Sequence, residues 1–335
     1  MRFVICFFCV VMLFQNSAAQ NTDSEKINGI SFVSNRNAID HTNVQPLVDI
    51  NTNYAAVMPF GFISREETSK VVYNGNQWYG ETKVGGRNYI TELHKKGIKV
   101  MLKPHIWIRH GQYTGHLKMD SEEDWKELET TYRAFILDYA QLAQEQKVAI
   151  YSIGVELEQF VANRPEFWKK LIKEVKEIYK GKITYASNWD EYKRVPFWDQ
   201  LDYIGVDSYF PVSQAKTPSV AQAKAGWGYW KGKLAAFSKK HKKQILFTEW
   251  GYRSMDYAGK EPWVSTRGGA NVNLEAQANA TQAVFETFWE EDWFAGGFVW
   301  KWFIHHERSG GIENDRFTPQ NKPAQEVIKK YYGIY

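Results

Sequence analysis

Two glutamates, Glu156 and Glu249, stand where their side chains could do chemistry, because each closes an apolar run of the sequence. A carboxylate at the end of a buried strand is costly to ionise unless it is paired or protonated, so two such groups can acquire different pKa values. Retaining glycoside cleavage needs a pair of this kind about 5–5.5 Å apart, one donating a proton and one attacking the anomeric carbon. Glu158 is an alternative to Glu156, although it lies further into the loop.

Further polar and aromatic residues lie near the ends of the same apolar runs. The candidates for binding a substrate are Lys103, His105, Trp107, Asn188, Trp189, Asp207, Tyr209, Trp250, Trp300 and Trp302. Alternate residues of a strand point the same way, so Lys103, His105 and Trp107 should share a face, as should Asp207 and Tyr209. Aromatic rings suit the C–H faces of sugars. The chain has 14 Trp and 16% aromatic residues, which favours sugar binding only slightly because most rings belong in a core.

Eight short apolar runs alternate with helical or loop segments along the chain. They are rich in β-branched and aromatic residues, as strands buried on both faces of a parallel sheet should be. The predicted strands cover 27–34, 54–60, 99–107, 149–158, 182–190, 202–210, 244–252 and 296–303. The predicted helices cover 87–96, 120–146, 165–180, 217–241, 274–290 and 321–331.

This alternation predicts an α/β fold, a (β/α)8 TIM barrel in a single domain. A doubly wound open sheet is the alternative, but no glycine-rich phosphate loop follows any of the strands. Active sites of such barrels form at the carboxyl ends of the strands. The barrel would therefore bring the candidate residues together in one cleft.

The first 19 residues are predicted to be a secretory signal peptide. Arg2 precedes an apolar run from Phe3 to Phe14, and small residues follow at 17–19. The run is too short to cross a bilayer, which takes about 20 residues. We therefore expect a secreted or periplasmic catalytic domain over residues 20–335. It would lack cysteine, because Cys6 and Cys9 both lie in the leader.

Charge and motifs argue against several other classes of function. The formal net charge of +4 is too small to indicate nucleic acid or an anionic membrane as the partner. The histidines form neither a strand HxH pair nor an HExxH helix, and no G-x-S-x-G elbow occurs. We expect no metal, no organic cofactor, a monomer, and a β-linked oligosaccharide or polysaccharide as the partner.

Several motifs in order along the chain resemble glycoside hydrolase family 113. They are KPHIW at 103–107, the YAxLA-like segment at 139–143, SIGVELE at 152–158, SNWD at 187–190, DYIGVDSYFP at 202–211, TEWGY at 248–252 and GGFVWKWF at 296–303. The resemblance spans about residues 27–330. It implies a (β/α)8 retaining glycosidase with endo-β-mannanase activity on mannan-type polysaccharides.

The resemblance also implies roles for individual residues. Glu156 matches the acid/base after the fourth strand, and Glu249 matches the nucleophile after the seventh. Tyr209 matches a tyrosine that hydrogen-bonds the nucleophile. The remaining matches are His105 and Asn188 for sugar hydroxyls, and Trp300 with Trp302 for the floor of the −1 sugar.

One position departs from the pattern of the wider group of barrel glycosidases. An asparagine commonly precedes the acid/base and donates to the sugar 2-hydroxyl, but this chain has Val155 there. Either Asn188 or His105 takes that role, or activity and substrate preference differ. The alternatives are a retaining β-glycosidase for another β-linked glycan and a carbohydrate-binding barrel without catalysis. Trp78, Trp107, Trp189 and Trp263 are candidates for flanking subsites, each by itself more readily explained by packing.

Overall fold

The structure is a computed structural model that describes residues 25–64, 68–265 and 271–335. The predicted signal peptide, with Cys6 and Cys9, lies outside the described residues. Within these three ranges the strands form a closed barrel and a separate two-stranded sheet.

Eight parallel strands close into a barrel. Its order around the circumference is β1-β10-β9-β8-β7-β6-β4-β2, and every neighbouring pair is parallel. These strands are β1 Ile27–Phe32, β2 Tyr54–Val57, β4 Lys99–Leu102, β6 Ile150–Val155, β7 Lys182–Asn188, β8 Ile204–Ser208, β9 Ile245–Trp250 and β10 Phe294–Trp302. Closure confirms the predicted TIM barrel and contradicts the doubly wound alternative, in which the sheet would have two free edges.

Two further strands form a separate parallel pair at the rim. They are β3 Phe60–Ile63 and β5 His105–Ile108. The predicted second and third strands, 54–60 and 99–107, are each divided by a proline, Pro59 or Pro104. Proline supplies no N–H to a ladder, so the barrel strand ends before it and a new strand begins beyond it.

Helices follow or precede the strands on the outside of the barrel. They are α1 His41–Val48, α2 Lys83–Lys95, α3 Glu122–Glu145, α4 Glu158–Asn163, α5 Pro165–Ile178, α6 Val220–His241, α7 Leu274–Phe288 and α8 Pro323–Tyr332. Two of the helices have serine N-caps. The Ser121 and Ser219 side chains accept hydrogen bonds from backbone N–H groups in the first turns of α3 and α6. The six predicted helices are all present. α1 and the short α4 were not predicted from the sequence.

The apolar core has two parts. The larger lies between the barrel and the helices. The smaller fills the lower interior of the barrel with Ile27, Ala56, Met101, Ile150, Leu246, Ala295 and Phe298; we call this group the barrel plug. Phe298 occupies so much of that space that a Cβ on Gly29 would lie 2.5 Å from its ring. The charged residues at the carboxyl ends of the strands therefore lie above a close-packed apolar layer.

No helix in the described ranges combines the length and apolar character that crossing a membrane requires.

Candidate active site

Glu249 lies near the end of β9 with donors on both carboxylate oxygens. The Lys103 ammonium donates to Oε1 at 2.6 Å, and the Tyr209 hydroxyl donates to Oε2 at 2.8 Å. The side chain of Glu249 is only 8% exposed. Charge-assisted hydrogen bonds of this kind stabilise an ionised carboxylate and fix its orientation.

Lys103 is fully buried and connects Glu249 with a second carboxylate. Its ammonium lies 3.5 Å from Oδ1 of Asp207 and 3.3 Å from the carbonyl oxygen of Thr248. Asp207 also accepts from the Thr248 hydroxyl at 2.7 Å. Burial and the negative charge of Glu249 raise the pKa of Asp207 to about 7, against the opposing effects of Lys103 and Thr248. Lys103 and Asp207 are both 0% exposed, so they support Glu249 and do not form a surface for sugar.

Glu156 follows β6 and has a different environment. Its backbone has a positive φ of 49°, and its carboxyl group makes no hydrogen bond to the described residues. Burial, followed by the negative charges of Asp207, Glu249 and Glu191, raises the pKa of Glu156 well above the usual range, while Lys103 opposes the shift. The environment of Glu156 therefore favours its protonated form more than that of an exposed glutamate does.

His105 lies beside Glu249 on the rim strand β5. Its Nε2 is 4.0 Å from Oε1 of Glu249 and has no hydrogen-bond partner among the described residues. The imidazole lies nearly parallel to the Trp300 ring, with centroids 6.3 Å apart and planes 18° apart. Burial, with the charges of Lys103 and Lys301, lowers the pKa of His105 well below its usual value. A neutral imidazole with a free nitrogen can bind a sugar hydroxyl.

Asn188 ends β7 on the Glu156 side of the barrel mouth. Its Nδ2 donates to the Tyr113 hydroxyl at 2.6 Å. The charge of Glu156 is one cause, after burial, of the raised pKa of Tyr113, which places the two side chains in electrostatic contact. Asn188 and Tyr113 are both polar groups that a sugar near Glu156 could reach.

Exposed aromatic rings surround this part of the mouth. Trp189 stacks on Trp263, with centroids 5.2 Å apart and planes 20° apart, and Trp263 is 41% exposed. We call these two residues the tryptophan pair. Trp107 on β5 is 49% exposed. Trp78 is also exposed and lies against Arg36 at 5.5 Å.

Two predicted binding residues do not reach the cleft. Trp250 is 1% exposed and packs on Phe285 and Trp289 in the outer core. It follows Glu249 directly in β9, and successive side chains of a strand point to opposite faces.

Trp302 is 0% exposed and stacks on His306 outside the barrel. Between β1 and β10, Ile30 pairs with Val299 but Phe32 pairs with Trp302. This bulge adds one residue to β10, so Trp302 no longer shares a face with Trp300. Of Trp300 and Trp302, only Trp300 therefore remains at the mouth.

Glu158, the alternative to Glu156, begins α4 and accepts from Arg194 Nε at 2.6 Å. Three residues of the site were not predicted: Tyr113, Glu191 and Thr248. Thr248 directly precedes the predicted Glu249, and Glu191 directly follows the SNWD motif at 187–190. Their closeness in sequence to predicted residues could therefore have indicated them. Tyr113 lies in a loop of irregular structure, and no sequence pattern marked it.

The arrangement brings together one carboxylate with two donors and one carboxyl group whose ionisation is suppressed. These are the two states that an acid and a nucleophile require in a glycosidase. Around them are a neutral histidine, an amide and exposed indole rings, which suit the hydroxyls and C–H faces of a sugar. No group of three or more His, Cys, Asp or Glu in the described ranges has the geometry of a metal site.

Comparisons with known proteins agree with this chemistry. A family model described as Glycoside Hydrolase Family 113 matches residues 34–322. A GH113 β-1,4-mannanase complex superposes with a TM-score of 0.80 at 23% identity, covering 93% of this chain and 100% of the other.

The GH113 β-mannanase AaManA from Alicyclobacillus acidocaldarius, in complex with ManMIm, also has a TM-score of 0.80, at 22% identity, covering 93% of this chain and 98% of the other. A β-glucuronidase from Ruminococcus gnavus has a TM-score of 0.58 at 14% identity, covering 88% of this chain and 46% of the other. Comparison with curated protein sequences gave no significant match.

Proposed function

The chain belongs to glycoside hydrolase family 113, and from this premise we propose that it is a retaining endo-β-1,4-mannanase with Glu249 as nucleophile and Glu156 as acid/base. The observation that carries the proposal is the contrast between the two buried glutamates. Lys103 and Tyr209 donate to Glu249, whereas burial and nearby negative charge raise the pKa of Glu156.

In the first step, Glu249 attacks the anomeric carbon and Glu156 donates its proton to the leaving sugar oxygen. The C–O bond to the leaving sugar breaks as the bond to Glu249 forms. The Tyr209 hydroxyl, 2.8 Å from Oε2 of Glu249, and Lys103 on Oε1 orient the attacking carboxylate. No described residue donates to the Glu156 carboxyl group, which suits its role, because a proton held only by the carboxyl group is free to be transferred.

In the second step, Glu156 accepts a proton from water, and that water displaces Glu249 from the anomeric carbon. The configuration at the anomeric carbon is then retained. Sugar hydroxyls at the cleaved residue would contact His105 Nε2, which has no partner among the described residues. Val155 cannot donate to the 2-hydroxyl, so Asn188 or His105 is the candidate for that contact.

The choice of a β-mannan substrate is supported by the family and by two similar structures whose proteins are β-mannanases. The tryptophan pair, in the loops that follow β7 and β9, adds an aromatic surface beside Asn188. A polymer that continues past the cleavage point could stack a ring there. This supports cleavage within a chain over removal of single terminal sugars.

The proposal is tested with Glu249→Ala and Glu156→Ala on β-mannan, β-glucan and xylan oligosaccharides, with products separated by length. Glu249→Ala should abolish turnover. Glu156→Ala should lower kcat on mannan by about a hundredfold or more, but much less on a dinitrophenyl glycoside, whose leaving group needs no proton.

Glu158→Ala is the matched control and should retain activity, because Glu158 pairs with Arg194. Wild-type turnover by Glu249→Ala would contradict the role of Glu249. Oligosaccharide binding without any turnover by the wild type would instead favour a non-catalytic carbohydrate-binding barrel. Turnover of β-glucan or xylan alone would contradict the choice of mannan.

We also propose export, with removal of residues 1–19. The support is the sequence of this segment, in which Arg2 precedes an apolar run that ends before small residues. N-terminal sequencing of protein recovered outside the cytoplasm should begin at Gln20. A product beginning at Met1 would contradict the proposal.

A further inference from the structure

Glu191 is a buried carboxylate that the proposed mechanism does not use. It lies three residues after Asn188, in the loop that follows β7, and is 1% exposed. Its Oε1 accepts from the Tyr185 hydroxyl at 2.7 Å, and its Oε2 accepts from the backbone N–H of Asn188 at 3.0 Å. A carboxylate this deeply buried is costly, so its presence calls for a reason beyond packing.

The contacts of Glu191 lead directly to the backbone around Glu156. The Tyr185 hydroxyl, which donates to Glu191, accepts from the backbone N–H of Leu157 at 2.7 Å. On the other side, the N–H of Glu156 donates to the carbonyl oxygen of Ala186 at 2.8 Å. Two consecutive amides at Glu156 and Leu157 are therefore held by β7.

This attachment matters because Glu156 has a φ of 49°. Side-chain-bearing residues adopt that left-handed region rarely, and such residues persist only where the surrounding structure fixes them. In this chain the fixing contacts come from Ala186 and Tyr185, and Glu191 orients the Tyr185 hydroxyl by accepting a hydrogen bond from it. The direction in which the Glu156 carboxyl group points therefore depends on Glu191.

Glu191 also acts on Glu156 through its charge. The charged groups that face Glu156 are Asp207, Glu249, Glu191 and Lys103, and the phenols of Tyr113 and Tyr209 are also in electrostatic contact with it. Burial raises the pKa of Glu191 itself to about 7, with smaller contributions from Glu158 and Asp207 and opposition from its two hydrogen bonds. Above that pH, Glu191 is an ionised neighbour that disfavours ionisation of Glu156.

We propose that Glu191, acting with Tyr185, is a positioning residue for Glu156, which it holds in its left-handed turn and faces with a further buried negative charge. The role rests on the proposed function only in naming Glu156 as the acid/base. Two effects follow, one geometric and one electrostatic. They can be compared because Tyr185 contributes mainly to the first, whereas the Glu191 carboxylate contributes to both.

The kinetic test compares Glu191→Gln with Tyr185→Phe in the full chain. The acid form of Glu156 is lost on the alkaline side of the pH profile of kcat/KM. Removing the Glu191 charge should therefore move the alkaline limb to lower pH, by about one unit, a typical size for shifts within folded proteins. Tyr185→Phe keeps the Glu191 carboxyl group and only removes one of its hydrogen bonds, so it should lower kcat and move the alkaline limb less than Glu191→Gln does.

Leaving-group dependence gives a second readout. Both variants should lose more activity on mannan than on a dinitrophenyl glycoside, because only mannan needs the proton of Glu156. A role confined to packing would lower both activities equally and move neither limb. That result, with both variants folded by circular dichroism, would overturn the proposal.

A direct titration removes the dependence on any substrate. NMR of protein labelled with ¹³C at the glutamate carboxyl carbons, with Glu156 assigned from Glu156→Gln, gives the pKa of Glu156 in wild type and in Glu191→Gln. The pKa should fall in the variant. An unchanged value would overturn the electrostatic role even if the protein were inactive on every glycan tested, whereas failure of the proposed function alone would leave this shift intact.

Discussion

Lys103 has the most constrained environment of any residue at the site. Burial disfavours its charged form, but the charges of Asp207 and Glu249 outweigh that effect and raise the pKa of Lys103. Above about pH 7, where Asp207 is ionised, the three groups form a buried cluster with one positive and two negative charges. The cluster is stable in this form only while the ammonium remains, because two buried carboxylates without a cation cannot both stay ionised.

In Lys103→Met, the Asp207–Glu249 pair is therefore expected to keep a shared proton up to a higher pH than in the wild type. The acidic limb of the pH profile of kcat/KM should move to higher pH, and activity at neutral pH should fall. Lys99→Met is the matched control: Lys99 lies at the other end of β4, pairs with Glu25 and is half exposed. An unchanged acidic limb in Lys103→Met would contradict the role of the ammonium.

At the residue scale, the sequence was informative where a polar residue interrupts an apolar run. Glu156, Glu249, Asp207 and Lys103 all stand out in this way, and all lie at the mouth. The sequence could not indicate that Lys103 hydrogen-bonds to Glu249 and is closed to solvent. Strand alternation, applied strictly, would have excluded Trp250, because its neighbour Glu249 already points into the barrel.

At the scale of elements, the loops after β7 and β9 contribute the tryptophan pair. Trp189 also packs edge-to-face against Phe210 and Trp230, so its ring is fixed. Trp263, stacked on Trp189, is the more exposed ring of the pair. Rings held in place in this way lose little freedom when a sugar stacks on them.

Trp263→Ala is expected to raise KM for long mannooligosaccharides by about fivefold, the equivalent of about 1 kcal/mol of lost aromatic contact. Dinitrophenyl monosaccharide hydrolysis should be unchanged. Val84→Ala on α2, where the side chain is 66% exposed on an outer helix, is the control and should alter neither. Equal effects on short and long substrates would contradict a distal subsite.

The elements themselves were largely predictable, and the exceptions have identifiable causes. Eight apolar runs gave eight barrel strands because a strand buried on both faces leaves a continuous apolar pattern. The rim pair β3 and β5 was missed because Pro59 and Pro104 lie inside runs that otherwise look unbroken. The bulge between β1 and β10, which turns Trp302 outward, has no signature in hydrophobicity.

Across the whole molecule, the two ends of the barrel differ in whether their residues contribute to stability or to function. At the lower end, the Asn28 side chain on β1 accepts from Trp289 Nε1 at 2.8 Å and donates to the carbonyl oxygen of Tyr332 at 3.4 Å. These bonds join the first strand to the region after α7 and to α8. Residues at this end of a TIM barrel contribute to stability, whereas residues at the mouth contribute to function.

Asn28→Ala should lower the free energy of unfolding by about 1–3 kcal/mol, because it leaves the buried Trp289 N–H without an acceptor. kcat and KM at temperatures well below the melting transition should match those of the wild type. Chemical denaturation and steady-state kinetics on the same preparation check both expectations. A loss of kcat with unchanged stability would contradict the separation of the two ends.

The barrel plug has a consequence for the movement of protons. It closes the interior from below with seven apolar residues, none of which can relay a proton. The barrel plug therefore favours proton exchange of Glu156 and Glu249 with bulk water through the mouth. A glycan lying across the mouth would cover that route, so the proton used in the first step is one that the site already holds when the glycan binds.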